Sequence, residues 1–119
     1  MNWFTARIVY QIICGDGAHT PQFDEQIRLI NAADLPDAFE KAIEIGLREE
    51  DVFYNDQKKL VQWKFVNVAE MNALCELSDG AEIYSHITEV DDADDYVGLI
   101  HRKAASVQER TNAEQLHLI

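Results

Sequence analysis

Every second residue from Phe4 to Cys14 is apolar or small: Phe4, Ala6, Ile8, Tyr10, Ile12 and Cys14 share one parity, while Thr5, Arg7 and Gln11 interrupt the other. Successive side chains of a strand point to opposite sides of a sheet, so this period of two predicts a long strand with one buried face. Gly15-Asp16-Gly17 ends it. A loop with His19 and Pro21 then leads to Phe23, Ile27 and Leu29, which alternate with Asp24, Gln26 and Arg28. The expectation is an antiparallel hairpin of Phe4–Cys14 with Phe23–Ala32, in which Ile8, Tyr10, Ile27 and Leu29 face a helix.

That helix is predicted next. Asp34 is placed to cap it, Pro36 falls in its first turn, and Leu35, Phe39, Ala42, Ile43 and Leu47 recur at helical spacing up to Glu50. Its acidic side chains, Glu40 and Glu44 among them, read as a solvated face. Val52-Phe53-Tyr54 and the polar turn Asn55–Lys59 precede a third major strand, where Val61, Trp63 and Phe65 alternate with Gln62 and Lys64. The alternation continues through Met71, Ala73, Cys75 and Leu77, so residues 69–77 are expected to extend a long, bent strand, with a short helix as the alternative.

Asp79-Gly80 predicts a tight turn into a further strand carrying Ala81, Ile83, Ser85 and Ile87 on its inner parity. Asp91, Asp92, Asp94 and Asp95 then precede an apolar stretch followed by His101-Arg102-Lys103, an order of charges that suits a helix dipole. A calcium loop is the competing reading of the acids, but the central glycine and the bidentate glutamate at the required offset are missing. The class is therefore α+β: an antiparallel sheet of about four strands with helices on one face, in the order β-β-α-β-β-α. Residues 1–105 form the expected domain, and 106–119 a tail, mobile or docking its apolar end Leu116-His117-Leu118-Ile119 on a neighbour.

The chain has 119 residues and a formal net charge of -12, from 22 acidic and 10 basic residues. That charge repels nucleic acid and anionic lipid headgroups and favours encounter with a basic protein. No apolar run approaches the roughly 20 residues of a membrane helix. Met1–Arg7 lacks the basic leader and apolar core of a secretory signal, so a cytoplasmic location is expected, without membrane or nucleic-acid partners.

The strand Trp3-Phe4-Thr5-Ala6-Arg7, then Phe23-Asp24-Glu25, Glu40-Lys41-Ala42 through Gly46, Val61–Val66 and Asp79-Gly80-Ala81-Glu82-Ile83-Tyr84-Ser85 resemble, in that order, the bacterial domain-of-unknown-function family 4288. The similarity spans roughly residues 3 to 88, leaving the tail outside it. It implies a small cytoplasmic bacterial α+β protein and carries over no catalytic residue.

Chemistry-bearing residues are sparse. Cys14, Asp16 and His19 bring a thiol, a carboxylate and an imidazole onto one loop, which admits a small enzyme, but a cysteine nucleophile also needs a base in reach and an oxyanion site. Cys14 shares the inward parity of Tyr10 and Ile12, which favours a buried thiol. His19, His86, His101 and His117 show no metal-ligand spacing, and no phosphate-cradling glycine motif is present, so neither metal nor cofactor is expected. Trp3 and Trp63 read as core or edge anchors.

The bases suggest a different site. On the expected parities Arg7, Arg28, Lys64 and His86 share the sheet face away from the helices with Val9, Ile13, Ile30, Val66 and Tyr84. The leading expectation is a non-enzymatic binding or assembly protein that self-associates, as a dimer first, through that face or an adjacent edge strand. The alternatives are an acidic immunity-type protein that neutralises a basic bacterial toxin, and the small enzyme of the Cys14 to His19 loop.

Overall fold

A computed structural model of the protein describes residues 1–117, so Leu118 and Ile119 of the apolar end lie outside the described residues. The chain divides into two units, Met1–Ser85 and His86–Ile119. The α+β class and the order β-β-α-β-β-α are those the sequence predicts: β1 (Asn2–Cys14), β2 (Gln22–Ala32), α1 (Leu35–Arg48), β3 (Asp51–Tyr54), β4 (Leu60–Leu74) and α2 (Ala93–His117).

The first unit is one four-stranded antiparallel sheet in the order β2-β1-β4-β3. The predicted β1–β2 hairpin is present, with Phe4 opposite Ile30, Ile8 opposite Gln26 and Tyr10 opposite Asp24. Directly opposed residues point to the same side. The covered face therefore takes Phe4, Ala6, Ile8 and Tyr10 from β1, but Asp24, Gln26, Arg28, Ile30 and Ala32 from β2. This corrects the expected parity of β2: Ile27 and Leu29 stand opposite Arg7 and Thr5 on the other face, about half exposed. Ile8, Tyr10 and Ile30 are fully buried, each burial removing enough apolar surface to stabilise by roughly 1.5–3 kcal/mol.

Helix α1 is capped by Asp34, whose Oδ1 accepts from the Asp37 amide at 2.9 Å. It seats on the sheet through small residues, Ala38, Ala42 and Gly46, one per turn, with Ile45 beside them. Phe39 and Leu47, expected to face inward, remain 40% and 53% exposed. The reason is steric: with no bulky side chain on that stripe the helix lies close to the strands, and the large groups come from the sheet. Phe65 packs against Gly46, and the Tyr10 phenol donates to the Gly46 carbonyl at 2.8 Å, satisfying an acceptor in the last helical turn.

The long, bent strand is present as β4, but it ends at Leu74, and residues 75–77, expected to continue it, are not strand. Two of its residues, Val66 and Ala69, have no partner on β1, because Tyr10 and Val9 oppose Phe65 and Asn67 while Ile8 and Arg7 oppose Val68 and Glu70. Such bulges bend a strand. Each shifts the alternation by one residue, so the pair restores the original parity, and Met71 and Ala73 return to the face of Phe65.

Two strand assignments differ from expectation. Residues 51–54 form the fourth strand, joined to β4 through a turn in which Asn55 Oδ1 accepts from the amides of Gln57 and Lys59. Residues 81–87 are not a strand. The Asp79-Gly80 turn itself forms, with Gly80 at φ 84° and the Ala81 amide donating to Ser78 O at 3.0 Å, but no ladder follows it.

In the second unit, α2 begins after Asp92, whose Oδ1 accepts from the Asp95 amide at 3.0 Å, so the acids cap a helix. It continues to His117, so that residues 106–117, expected to form a tail, are helical. Among the described residues no helix is long and apolar enough to cross a membrane.

Candidate interaction face

The sheet face away from α1 carries Thr5, Arg7, Val9 and Gln11 on β1 between two sets of partners. On one side β2 presents Phe23, Glu25, Ile27 and Leu29; on the other β4 presents Lys64, Asn67, Glu70 and Asn72. Arg7 is the charged centre of this face. Its Nη1 lies 3.7 Å from Glu25 Oε2, its Nε donates to Glu70 Oε2 at 3.4 Å, and its guanidinium stands 4.8 Å from the centroid of the Tyr84 ring. Desolvation opposes the charge, but Tyr84, Glu70 and Glu25 together outweigh it and hold Arg7 above the ordinary arginine value. An arginine so surrounded organises the face and keeps the 81–85 segment beside it.

The candidate residues named from the sequence thus fall into three places. Arg7, Val9 and Lys64 share this face, with Tyr84 of the irregular segment against Arg7, while Val66 is exposed at a β4 bulge without a partner on β1. Arg28 does not belong to it. It lies on the α1 side of β2, where its Nε and Nη2 donate to Gln26 Oε1 at 3.0 and 2.7 Å. His86 belongs to the second unit, where its Nε2 is 2.7 Å from the Thr88 hydroxyl.

Sequence reasoning passed over Phe23, Ile27 and Leu29, which are 55%, 46% and 48% exposed on the same face as Arg7. The signal for them was present: Ile30 and Ala32 carry the opposite parity, nearest the start of α1, and these are the β2 residues that are buried.

On the α1 side the polar half of β2 is fully connected. Asp24 Oδ2 accepts from Gln26 Nε2 at 2.7 Å and from the Trp63 indole at 3.0 Å, and these hydrogen bonds hold its carboxyl below the usual aspartate value. Trp63 in turn stacks on Phe53, anchoring the short β3.

The Cys14 to His19 loop lines a shallow cleft of about 420 Å³ with Lys59. Here His19 Nε2 accepts the Cys14 amide at 2.9 Å, while Nδ1 lies 2.8 Å from Thr20 O and donates to it. One neutral tautomer satisfies both contacts, with the proton on Nδ1. Asp16 Oδ1 accepts from the Ala18 amide at 3.0 Å. The loop's polar groups thus fold the loop. No imidazole lone pair is left to take a proton from the thiol.

A second cleft, of about 380 Å³, lies between Asn72–Glu76 and Ala81–Ser85. Among the described residues no imidazole, ammonium or guanidinium group lines it. Among the described residues no group of His, Cys, Asp and Glu side chains is gathered so as to hold a metal.

The fold defines a small antiparallel sheet protein with one face sealed by a helix and the other partly open. The chain belongs to the family described as a domain of unknown function, DUF4288, whose family model matches residues 3–85. That match ends where the first compact unit ends, at Ser85. Comparison with curated proteins and with solved structures finds no match.

Proposed function

We propose that the Met1–Ser85 unit is a non-enzymatic assembly module that binds a second copy of itself, forming a dimer first. The observation that carries this reading is the apolar row Phe23, Ile27 and Leu29, about half exposed along one margin of the open sheet face. Contiguous apolar surface on a sheet margin is the surface that association removes from water. Arg7, already held by Glu25 and Glu70, supplies a fixed polar rim to that row. The engaged His19 imidazole weighs against a thiol hydrolase in the neighbouring loop.

Sedimentation velocity of the full chain across the micromolar range tests the proposal. A concentration-dependent shift from monomer to dimer is the expected result, and a monomer throughout overturns it. The net charge of -12 favours a second reading, capture of a basic protein. In that case binding weakens steeply with added salt, whereas association of two copies that each carry -12 does not, because salt also screens their mutual repulsion.

A further inference from the structure

The two margins of the sheet are built differently. The β4 strand is bulged against β1 at Val66 and Ala69, its Phe65 amide is taken by the Glu50 carboxylate at 2.9 Å, and β3 covers four of its residues only. Bulges, side-chain caps and short edge strands are devices that prevent edge-to-edge pairing. The outer strand β2 carries one such cap near its end, where Lys41 Nζ donates to the Asn31 carbonyl at 2.9 Å, and residues 23–30 have none. It is 11 residues long, pairs with β1 in unbroken register, and contains no proline and no lysine. Over residues 23–30 the protective feature is charge, at Asp24, Glu25 and Arg28.

Those charges discriminate between registers. When two copies of an antiparallel edge meet about a two-fold axis perpendicular to the sheet, residue i of one faces residue j of the other with i + j constant. Both helix-covered faces stay on one side only if the sum is even, which places one residue on the axis. An axis at Asp24, Glu25 or Arg28 sets that charge against its own copy. An axis at Ile27 pairs no charges, placing Glu25 against Leu29 and Phe23 against Asn31. An axis at Gln26 sets Asp24 against Arg28 twice and Phe23 against Leu29 twice, with Glu25 beside Ile27, and of these axes it alone pairs opposite charges.

Within one chain these two charges do not meet directly: Gln26 relays between them, and among the described residues Arg28 forms no ion pair. We propose that the β2 edge is the self-association site, in the antiparallel register centred on Gln26, which makes the Asp24–Gln26–Arg28 row a self-complementary recognition element continuous across an eight-stranded sheet of two copies. The inference rests on the assembly reading above and specifies its surface and register.

Charge reversal distinguishes the register from the broader reading. Asp24→Lys places positive charge against Arg28 in its own dimer, and Arg28→Glu places negative charge against Asp24, so each variant alone should dissociate about a hundredfold more readily. Mixed one to one, they present Asp24 and the new glutamate of one copy to the new lysine and Arg28 of the other. The mixture should therefore regain the sedimentation of the unmodified dimer. If the unmodified protein dimerises but the variants do so unchanged, or the mixture stays monomeric, the register is wrong and self-association elsewhere stands. If the unmodified protein is monomeric, both fall together.

Asp24 also accepts from Trp63, so far-ultraviolet circular dichroism must show each variant folded. Should Asp24→Lys unfold, Gln26→Cys replaces it. Thiols introduced on the axis should cross-link to each other in the oxidised dimer, and a peptide map showing no such link overturns the register.

Discussion

The ring of Phe65 fills the space that a Cβ on Gly46 would need. The helix comes this close because Ala38, Ala42 and Gly46 present almost no side chain to the sheet. Gly46→Ala sets two effects against each other: higher helix propensity, worth about 1 kcal/mol, and overpacking of a buried ring, costing typically 1–3 kcal/mol. A clash with an enclosed ring cannot relax cheaply, so the overpacking dominates. Denaturant unfolding should show a net loss of stability, and an equal or raised midpoint would contradict the seating of α1.

Tyr10 is buried, and its phenol donates to Gly46 O. Tyr10→Phe should cost about 1 kcal/mol at neutral pH by leaving that carbonyl without its donor. Burial pushes the Tyr10 pKa above its usual 10.0, with Glu49, Glu50 and Asp24 adding to the effect and Arg28 opposing it. A raised folded value means the folded protein holds the proton longer than the unfolded chain. Tyr10 therefore contributes stability fully below pH 10.0, and this is lost as pH climbs through the folded value. The alkaline fall in melting temperature should be shallower in Tyr10→Phe.

At the acid end the sign reverses. Gln26 and Trp63 hold the Asp24 carboxyl below 3.8, so its contribution is present above that pH and disappears as pH falls through the lower folded value. Asp24→Asn should be less stable than the parent at neutral pH, and the gap should narrow on acidification below 3.8. A constant gap across that window would mean the carboxylate charge adds nothing to the relay.

His19 engages both ring nitrogens in loop contacts. His19→Ala should loosen the loop and leave the alkylation rate of Cys14 at neutral pH unchanged or faster, because the thiol loses no base. Mass spectrometry of the labelled protein resolves Cys14 from Cys75, which is exposed and serves as an internal standard. A tenfold or greater slowing confined to Cys14 would reinstate the imidazole as its base.

How much of this was legible in the sequence depended on whether local pattern or a distant partner decides a residue's side. In β1 both neighbours cover the same parity, so Ile8 and Tyr10 read correctly. In β2 the polar residues Asp24, Gln26 and Arg28 lie on the α1 side because each finds a partner there, and Trp63, which supplies one of them, is 39 residues from Asp24. Alternation alone therefore put Ile27 inward and assigned Arg28 to the open face. Val52–Tyr54 has no strand assignment in the sequence reading, yet pairing with β4 makes it part of one. Residues 81–87 had the alternation of a strand, but Tyr84 lies against Arg7 and no ladder forms. The bulges at Val66 and Ala69 left no trace, since together they preserve the apparent period.

Backbone amide hydrogen exchange at two protein concentrations tests whether β2 is the edge through which two copies join. Pairing at that edge should slow exchange within residues 22–32 as concentration rises, while β3 at the opposite margin exchanges at the same rate throughout. Identical exchange of residues 22–32 at concentrations that bracket the dissociation constant, or protection that grows at β3 instead, would contradict it.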